Sequence, residues 1–253
     1  MPIAHCPLPI AYCSLPIAYC LLLINHRTTM QSLKYFQYFF YLAFNWNFRI
    51  AMHIIKNEIK GEKKYGINTT GADELKALSK KGIDISHATV YMPASYDLLE
   101  EIFRQADIKS FKHFVDIGCG KGRPMCVAAT KGISKITGID FSKELCAAAT
   151  INLAQTKQHF PELQYKIINN DAFYFDIPYD ADCIFMFNPF DEIIMSGVIN
   201  NIEESVQQNP RKITIIYLNP LQKHLFISNG YSEIFHTKNM HYLEACIFIK
   251  KPR

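Results

Sequence analysis

From about residue 90 onward, apolar runs of strand length alternate with segments whose apolar positions recur at helical spacing. Residues 96–105 place Leu98, Leu99, Ile102 and Phe103 on one side of a helix. Strand-like runs follow at 113–117, 135–140, 164–168, 183–187 and 213–218, and helical patterns near 122–131, 142–155 and 192–207 lie between them. This alternation predicts a mainly parallel sheet with helices on both faces. Right-handed crossovers then align the strands' carboxyl ends along one edge, where open α/β sheets bind ligands. The last two runs, 231–237 and 243–250, are joined through Lys238-Asn239-Met240, too short a link for a parallel crossover. An antiparallel hairpin is therefore expected to close the sheet.

The chain before residue 85 follows other rules. Residues 35–55 are rich in aromatic and aliphatic side chains, but Gln37, Asn45, Asn47, Arg49 and His53 interrupt them, which argues against a membrane-spanning helix. The stretch reads as an N-terminal helix that caps the domain or covers a partner subunit. Its aromatic enrichment also fits peripheral contact with a membrane interface. Residues 61–71 read as a hinge or loop and 73–80 as a short helix. Further upstream, Pro2-Ile-Ala-His-Cys-Pro-Leu8, Pro9-Ile-Ala-Tyr-Cys-Ser-Leu15 and Pro16-Ile-Ala-Tyr-Cys-Leu-Leu22 form a heptapeptide repeat. The DNA unit CCTATTG, read through its three frames, encodes Pro-Ile-Ala-Tyr-Cys-Leu-Leu, so a simple DNA repeat accounts for it. A proline in each unit excludes a coiled coil, and no cationic segment precedes the apolar residues as in a secretory signal. Translation is expected to begin at Met30, with residues 1–29 either wrongly assigned to the protein or a floppy leader outside the fold. The organisation read from the sequence is thus 1–29 leader, 30–84 helical extension and 85–253 catalytic domain.

Charge and composition narrow the function. A formal net charge of +4 over 253 residues gives no footprint for nucleic acid. The densest cationic stretch, Lys56 to Lys64, is interrupted by Glu58 and Glu62 and reads as a solvated helix end. The single tryptophan, Trp46, lies in the N-terminal segment, and an unknown protein or small molecule is the expected partner rather than nucleic acid. Of eight cysteines, three belong to the repeat; Cys119, Cys126, Cys146, Cys183 and Cys246 show no C-x-x-C pair and no histidine at metal-ligand spacing. Reduced thiols in a cytoplasmic protein, without a metal, are the expectation.

The candidate chemistry lies at the predicted strand ends. Phe114-Val-Asp-Ile-Gly-Cys-Gly-Lys-Gly-Arg123 runs from a strand into Gly118, Gly120 and Gly122 and then a helix. Glycines there let the backbone approach a ligand, and the helix amides can receive a carboxylate. Asp140 ends the next strand, where an acid can accept both ribose hydroxyls. A dinucleotide fingerprint shares that acid but requires its third glycine where Arg123 stands. Asp116 would repel a pyrophosphate yet could pair with an ammonium; its other reading is a loop-ordering carboxylate.

These residues resemble the class I S-adenosylmethionine (SAM) dependent methyltransferases. Residues 114–122 look like that family's first motif and Ile139-Asp140-Phe141 like its second. The resemblance implies a Rossmann-like, seven-stranded, mostly parallel sheet with helices on both faces, a C-terminal antiparallel hairpin, and SAM as cofactor. Asp116, Gly118, Cys119, Gly120, Asp140 and Phe141 would bind it. Asn170-Asp171-Ala172-Phe173 resembles the family loop in which an acid, here Asp171, meets the adenine amino group while Ala172 packs on the ring; it also makes sense as a plain turn. Asn188-Pro189-Phe190 resembles the Asn/Asp-Pro-Pro-aromatic motif that orients a substrate amine. One proline is missing, and Asn188-Pro189 also reads as a strand-ending turn. Upstream, Tyr91-Met-Pro-Ala-Ser-Tyr96 is similar to segments that place Tyr91, Pro93 and Ser95 along the cofactor pocket; Ser95 otherwise reads as a helix N-cap. Methyl transfer to an amine nitrogen is the activity so implied. A SAM-binding scaffold without turnover and an NAD-linked oxidoreductase are the alternatives.

Overall fold

The structure is a computed structural model that describes residues 32–44, 47–70, 93–188, 190–239 and 243–251. The expectations for the leader, Met30, the helix at 73–80, Tyr91 and Pro189 fall outside those residues.

The N-terminal segment forms two helices rather than the single one expected, α1 (32–44) and α2 (Phe48–Tyr65). Asn47 is the reason: its backbone is extended and its side chain accepts a hydrogen bond from the Ile50 amide at 2.9 Å, which caps a new helix. Neither helix is long and apolar enough to cross a membrane. The expected hinge at residue 61 is also corrected, since α2 continues through Gly61 to Tyr65 and ends at Gly66 in the left-handed conformation. Gly61 serves a close approach instead, because a Cβ there would stand 2.1 Å from the Tyr96 ring.

Beyond it come α3 (Tyr96–Gln105), β1 (Phe114–Ile117), α4 (Arg123–Thr130), β2 (Lys135–Asp140), α5 (Lys143–His159), β3 (Gln164–Asn169) and β4 (Cys183–Phe187). The chain continues through α6 (Glu192–Gln208), β5 (Ile213–Leu218), α7 (Lys223–Ser228), β6 (Ser232–Asn239) and β7 (Leu243–Lys250). Each strand foreseen from the apolar runs is present, shifted by one or two residues at some ends; the short α7 was not foreseen. Ser142 and Asp191 cap α5 and α6 by accepting amide hydrogen bonds, as short polar side chains do at helix starts.

The seven strands lie in the order β3-β2-β1-β4-β5-β7-β6. The first five are parallel; β7 runs antiparallel to β5 and pairs with β6 as the hairpin. The fold is therefore the Rossmann-like, mixed seven-stranded sheet expected. The order reverses at β1 and β4, and it is outside the carboxyl ends of strands at such a switch point that open α/β sheets bind ligands. Successive residues of β1 point to opposite faces, so Phe114 packs with Phe103 and Phe185 against the α3 and α4 side, while Val115 and Ile117 join Ile139, Met186 and Ile199 beneath α6. Asp116 shares the face of Phe114, a carboxylate in an otherwise apolar register.

Candidate active site

The loop after β1 turns through Gly118, Gly120 and Gly122, with φ of 78°, 53° and 81° respectively, a region that L side chains disfavour. The Gly118 and Cys119 amides both donate to the Ile139 carbonyl at 2.9 Å, which ties the loop to the end of β2. Asp140 completes the tie: Oδ2 accepts from the Gly120 amide and Oδ1 from the Ser142 amide, each at 2.9 Å. Burial raises the Asp140 pKa, and these two amides work against the rise. Each oxygen retains acceptor capacity beyond the amide it holds.

Asp116 is treated differently. It is 1% exposed, and its Oδ2 has no hydrogen-bond partner among the described residues. Burial, and after it the nearby Asp140 charge, holds its pKa well above the usual carboxylate range. Cys119 is buried beside them; burial pushes its thiol far up as well, which leaves a packing residue and not a nucleophile.

Along the same edge, Asn169 donates to the Asp140 and Phe141 carbonyls at 3.1 and 2.8 Å, setting the backbone around half-buried Phe141. Asp171 is exposed and accepts from the Phe173 amide at 2.9 Å, so the turn-forming reading of this residue is realised; Ala172 next to it is buried. Asn188 follows β4 with φ of 33°, a strained conformation that asparagine tolerates better than most residues. Its amide donates to the Leu218 carbonyl at 3.1 Å and its Oδ1 accepts from the Tyr217 hydroxyl at 3.4 Å. Phe190 is half-buried against the α6-side core. Among the predicted residues that are described, Asp116, the glycines, Cys119, Asp140, Phe141, Asp171, Ala172 and Asn188 thus occupy the ends of successive parallel strands β1 to β4 or the loops leaving them.

Pro93 and Ser95 precede α3 and are half-buried. Ser95 stands at the N-cap position without a side-chain capping bond, so its cap role is not realised. Tyr96 is buried, its ring stacked on Tyr65 at 5.5 Å and its hydroxyl 3.2 Å from Thr69 Oγ1. Burial raises the phenol pKa far above ordinary, which removes Tyr96 as a general base.

What the sequence reading missed is the support behind the glycine loop. Arg123, the first residue of α4, is 1% exposed. Its guanidinium grips Glu58 through both nitrogens, Nη1 at 2.8 Å and Nη2 at 2.5 Å, and also donates to the Ala94 carbonyl and Thr69 Oγ1 at 2.7 Å. The Tyr96 ring lies 4.0 Å from it. One turn along α2, Glu62 accepts from the Tyr35 hydroxyl at 2.5 Å, from the Thr69 and Thr70 amides at 2.6 Å and from the Thr70 hydroxyl at 2.7 Å. Burial opposes the Glu62 charge, but these donors outweigh it and hold its pKa below the glutamate norm. Asn152 of α5 joins the segment after α2 to the glycine loop, donating to the Asn68 and Lys121 carbonyls at 3.2 and 2.9 Å. The solvated-helix reading of Lys56 to Lys64 is corrected accordingly: Lys56, Lys60, Lys63 and Lys64 are exposed, whereas Glu58 and Glu62 are buried. A signal existed, since Ala51, Ile55, Glu58 and Glu62 continue one helical face, and acids that extend an apolar stripe are candidates for burial.

A family model described as a methyltransferase domain matches residues 115–214, the span from β1 into β5. Among solved structures, the putative methyltransferase yhhF from Escherichia coli is similar at 16% identity, with 64% of this chain and 90% of that one covered and a TM-score of 0.50. An RNA methyltransferase from Salinibacter ruber in complex with S-adenosyl-L-homocysteine shares 14% identity over 62% of this chain and 92% of its own, with a TM-score of 0.47. A magnesium protoporphyrin IX methyltransferase from Synechocystis with bound SAM shares 13% over 60% and 75%, with a TM-score of 0.44. No curated protein matches the sequence.

Proposed function

We propose that the chain is a class I methyltransferase that takes S-adenosylmethionine as its cofactor and transfers the methyl group to an amine nitrogen of a protein lysine or a small molecule, a reading supported by the methyltransferase-domain model that matches residues 115–214. The observation that carries the acceptor class is Asn188. Its strained backbone follows β4 at the sheet's switch point, with the amide and side-chain oxygen held by Leu218 and Tyr217. A carbonyl oxygen so fixed can accept a hydrogen bond from an amine and aim the nitrogen lone pair, while Phe190 packs against the acceptor's apolar part.

The residues on this edge fit the cofactor. A buried carboxylate oxygen with no partner among the described residues is suited to an ammonium, so Asp116 would hold the methionyl amine. Asp140 would accept from the ribose hydroxyls with its remaining lone pairs, and Asp171 and Ala172 would flank the adenine. Pro93 and Ser95 would border the methionyl end. When bound, SAM supplies a sulfonium-activated methyl group. The chain then holds the acceptor in line and keeps water out, and no general base within the buried tyrosine network is required.

The test is transfer of labelled methyl from SAM into cell extract, followed by identification of the labelled atom. Label on an amine nitrogen, lost in Asn188→Ala with SAM affinity retained, supports the reading. Label on oxygen or carbon overturns the acceptor class. Tight SAM binding with no labelled product from several extracts would instead identify a SAM-binding scaffold.

A further inference from the structure

Outside the cofactor edge, the C-terminal hairpin gathers a second set of chemistry-bearing side chains. His236 on β6 is paired directly with Cys246 on β7, so both side chains lie on the same face of the sheet, and Cys246 pairs in turn with Tyr217 on β5. Glu233, three residues before His236, would point to the opposite face of a regular strand. A register shift between Glu233 and Phe235 reverses that: Phe235 pairs with Ile247 and packs toward the α3 side, whereas Glu233 pairs with Phe248 on the His236 and Cys246 face. One ligand-type atom from each of Glu233, His236 and Cys246 lies within 4.8 Å of the other two. The Glu233 Oε1 to His236 Nδ1 separation is 3.6 Å. Donors around a tetrahedral zinc ion stand about 3.3–3.8 Å apart, so a small contraction would complete the set.

The surroundings supply what such a site needs. His236 Nε2 lies 2.9 Å from Glu244 Oε1, a contact that places the ring proton on Nε2 and leaves the Nδ1 lone pair facing Glu233. Cys246 is fully buried at the base of the group, while Glu233 and His236 rise to the surface and provide an entry path. Thiolate, imidazole and carboxylate together suit a borderline-soft divalent ion rather than magnesium or calcium. Lys223 approaches Glu233 only to 4.0 Å at the solvent boundary, a contact that is easily released.

We propose that Glu233, His236 and Cys246 form a binding site for a divalent transition-metal ion of the zinc type, with Glu244 orienting the imidazole and a fourth position left to water. Binding is redox-neutral: the Cys246 S–H bond breaks, its proton leaves to solvent, and a sulfur–metal bond forms. The sequence offered no C-x-x-C pair and no histidine at ligand spacing, because the ligands come from two strands and depend on a bulge. The ion would staple the sheet's outer strand to β7, one strand from Tyr217 and hence close to Asn188.

Cobalt(II) is the probe, added to the metal-stripped full-length chain. Thiolate coordination gives a near-ultraviolet charge-transfer band, expected to saturate at one cobalt per chain and to be displaced by zinc. Cys246→Ser should abolish the band, and His236→Ala, at an exposed position that leaves the core intact, should weaken binding at least tenfold. Glu244→Gln should weaken it about tenfold, as loss of a ligand-orienting partner does. A variant with Cys6, Cys13 and Cys20 all changed to Ser should keep the band at full strength. No band in the parent chain overturns the proposal, as does a band that survives Cys246→Ser or affinity unchanged by His236→Ala.

Discussion

Glu58 and Asp116 are both carboxylates almost wholly withdrawn from water, one on the buried face of α2 and one at the end of β1 beside the glycine loop, and their surroundings treat them in opposite ways. Glu58 meets a bidentate guanidinium from Arg123. Asp116 has an oxygen with no partner among the described residues, and the charge of a second carboxylate, Asp140, works against its ionisation. A buried charge that is fully matched behaves as scaffold, since its desolvation is already offset within the fold. A buried carboxyl left unmatched is a standing instability that a cationic ligand relieves. The difference separates the part of the molecule that supports the glycine loop from the part proposed to receive the cofactor.

The largest expected effect tests the matched side. Arg123→Ala leaves Glu58 buried without its cation and should lower unfolding stability by about 3–5 kcal/mol in urea titrations. Pairing Glu58→Leu with Arg123→Met should recover much of the loss; a single-variant loss below about 1 kcal/mol would mean the pair is not structural. Next in size, Gly61→Ala pushes a methyl into the Tyr96 ring and should cost about 1–3 kcal/mol by thermal unfolding, without touching the strand-end residues.

The unmatched side should respond through binding instead. Asp116→Asn is expected to weaken SAM at least tenfold, about 1.4 kcal/mol by calorimetry, while the cofactor-free chain becomes no less stable. The pH sign follows from the raised pKa. The stability contribution of the Asp116 carboxyl is full below the ordinary aspartate value of 3.8 and is lost as pH rises toward the elevated folded value. Without cofactor, the Asn variant escapes that loss, so its advantage over the parent should widen from about pH 4 upward. An advantage that narrows instead would show Asp116 to be paired. The smallest effect is on the exposed side of α2: Lys60→Ala should shift stability by less than about 0.5 kcal/mol, although it lies two residues from Glu58 and Glu62.

The strands, the closing hairpin and the succession Asp116, Asp140, Asp171 and Asn188 along one edge were readable because each rests on local periodicity or on a short motif at a strand end. Residues 35–55 were misread as one helix because their apolar density hides Asn47, whose capping role shows only once its extended backbone and its side-chain bond to the Ile50 amide are seen. Glu58 and Glu62 were read as solvated because charge runs usually are.

By itself, then, the amino-acid order determined the layer architecture, the glycine loop and which acids face it, since hydrophobic period and backbone permissiveness act over a few residues. Only the tertiary structure decided which buried charges are satisfied. Glu58 and Arg123 stand 65 residues apart, and His236 meets Cys246 across a bulged strand pair. The free energy of a buried polar group depends on what lies within hydrogen-bond reach, and at such separations the chain sets that only by folding.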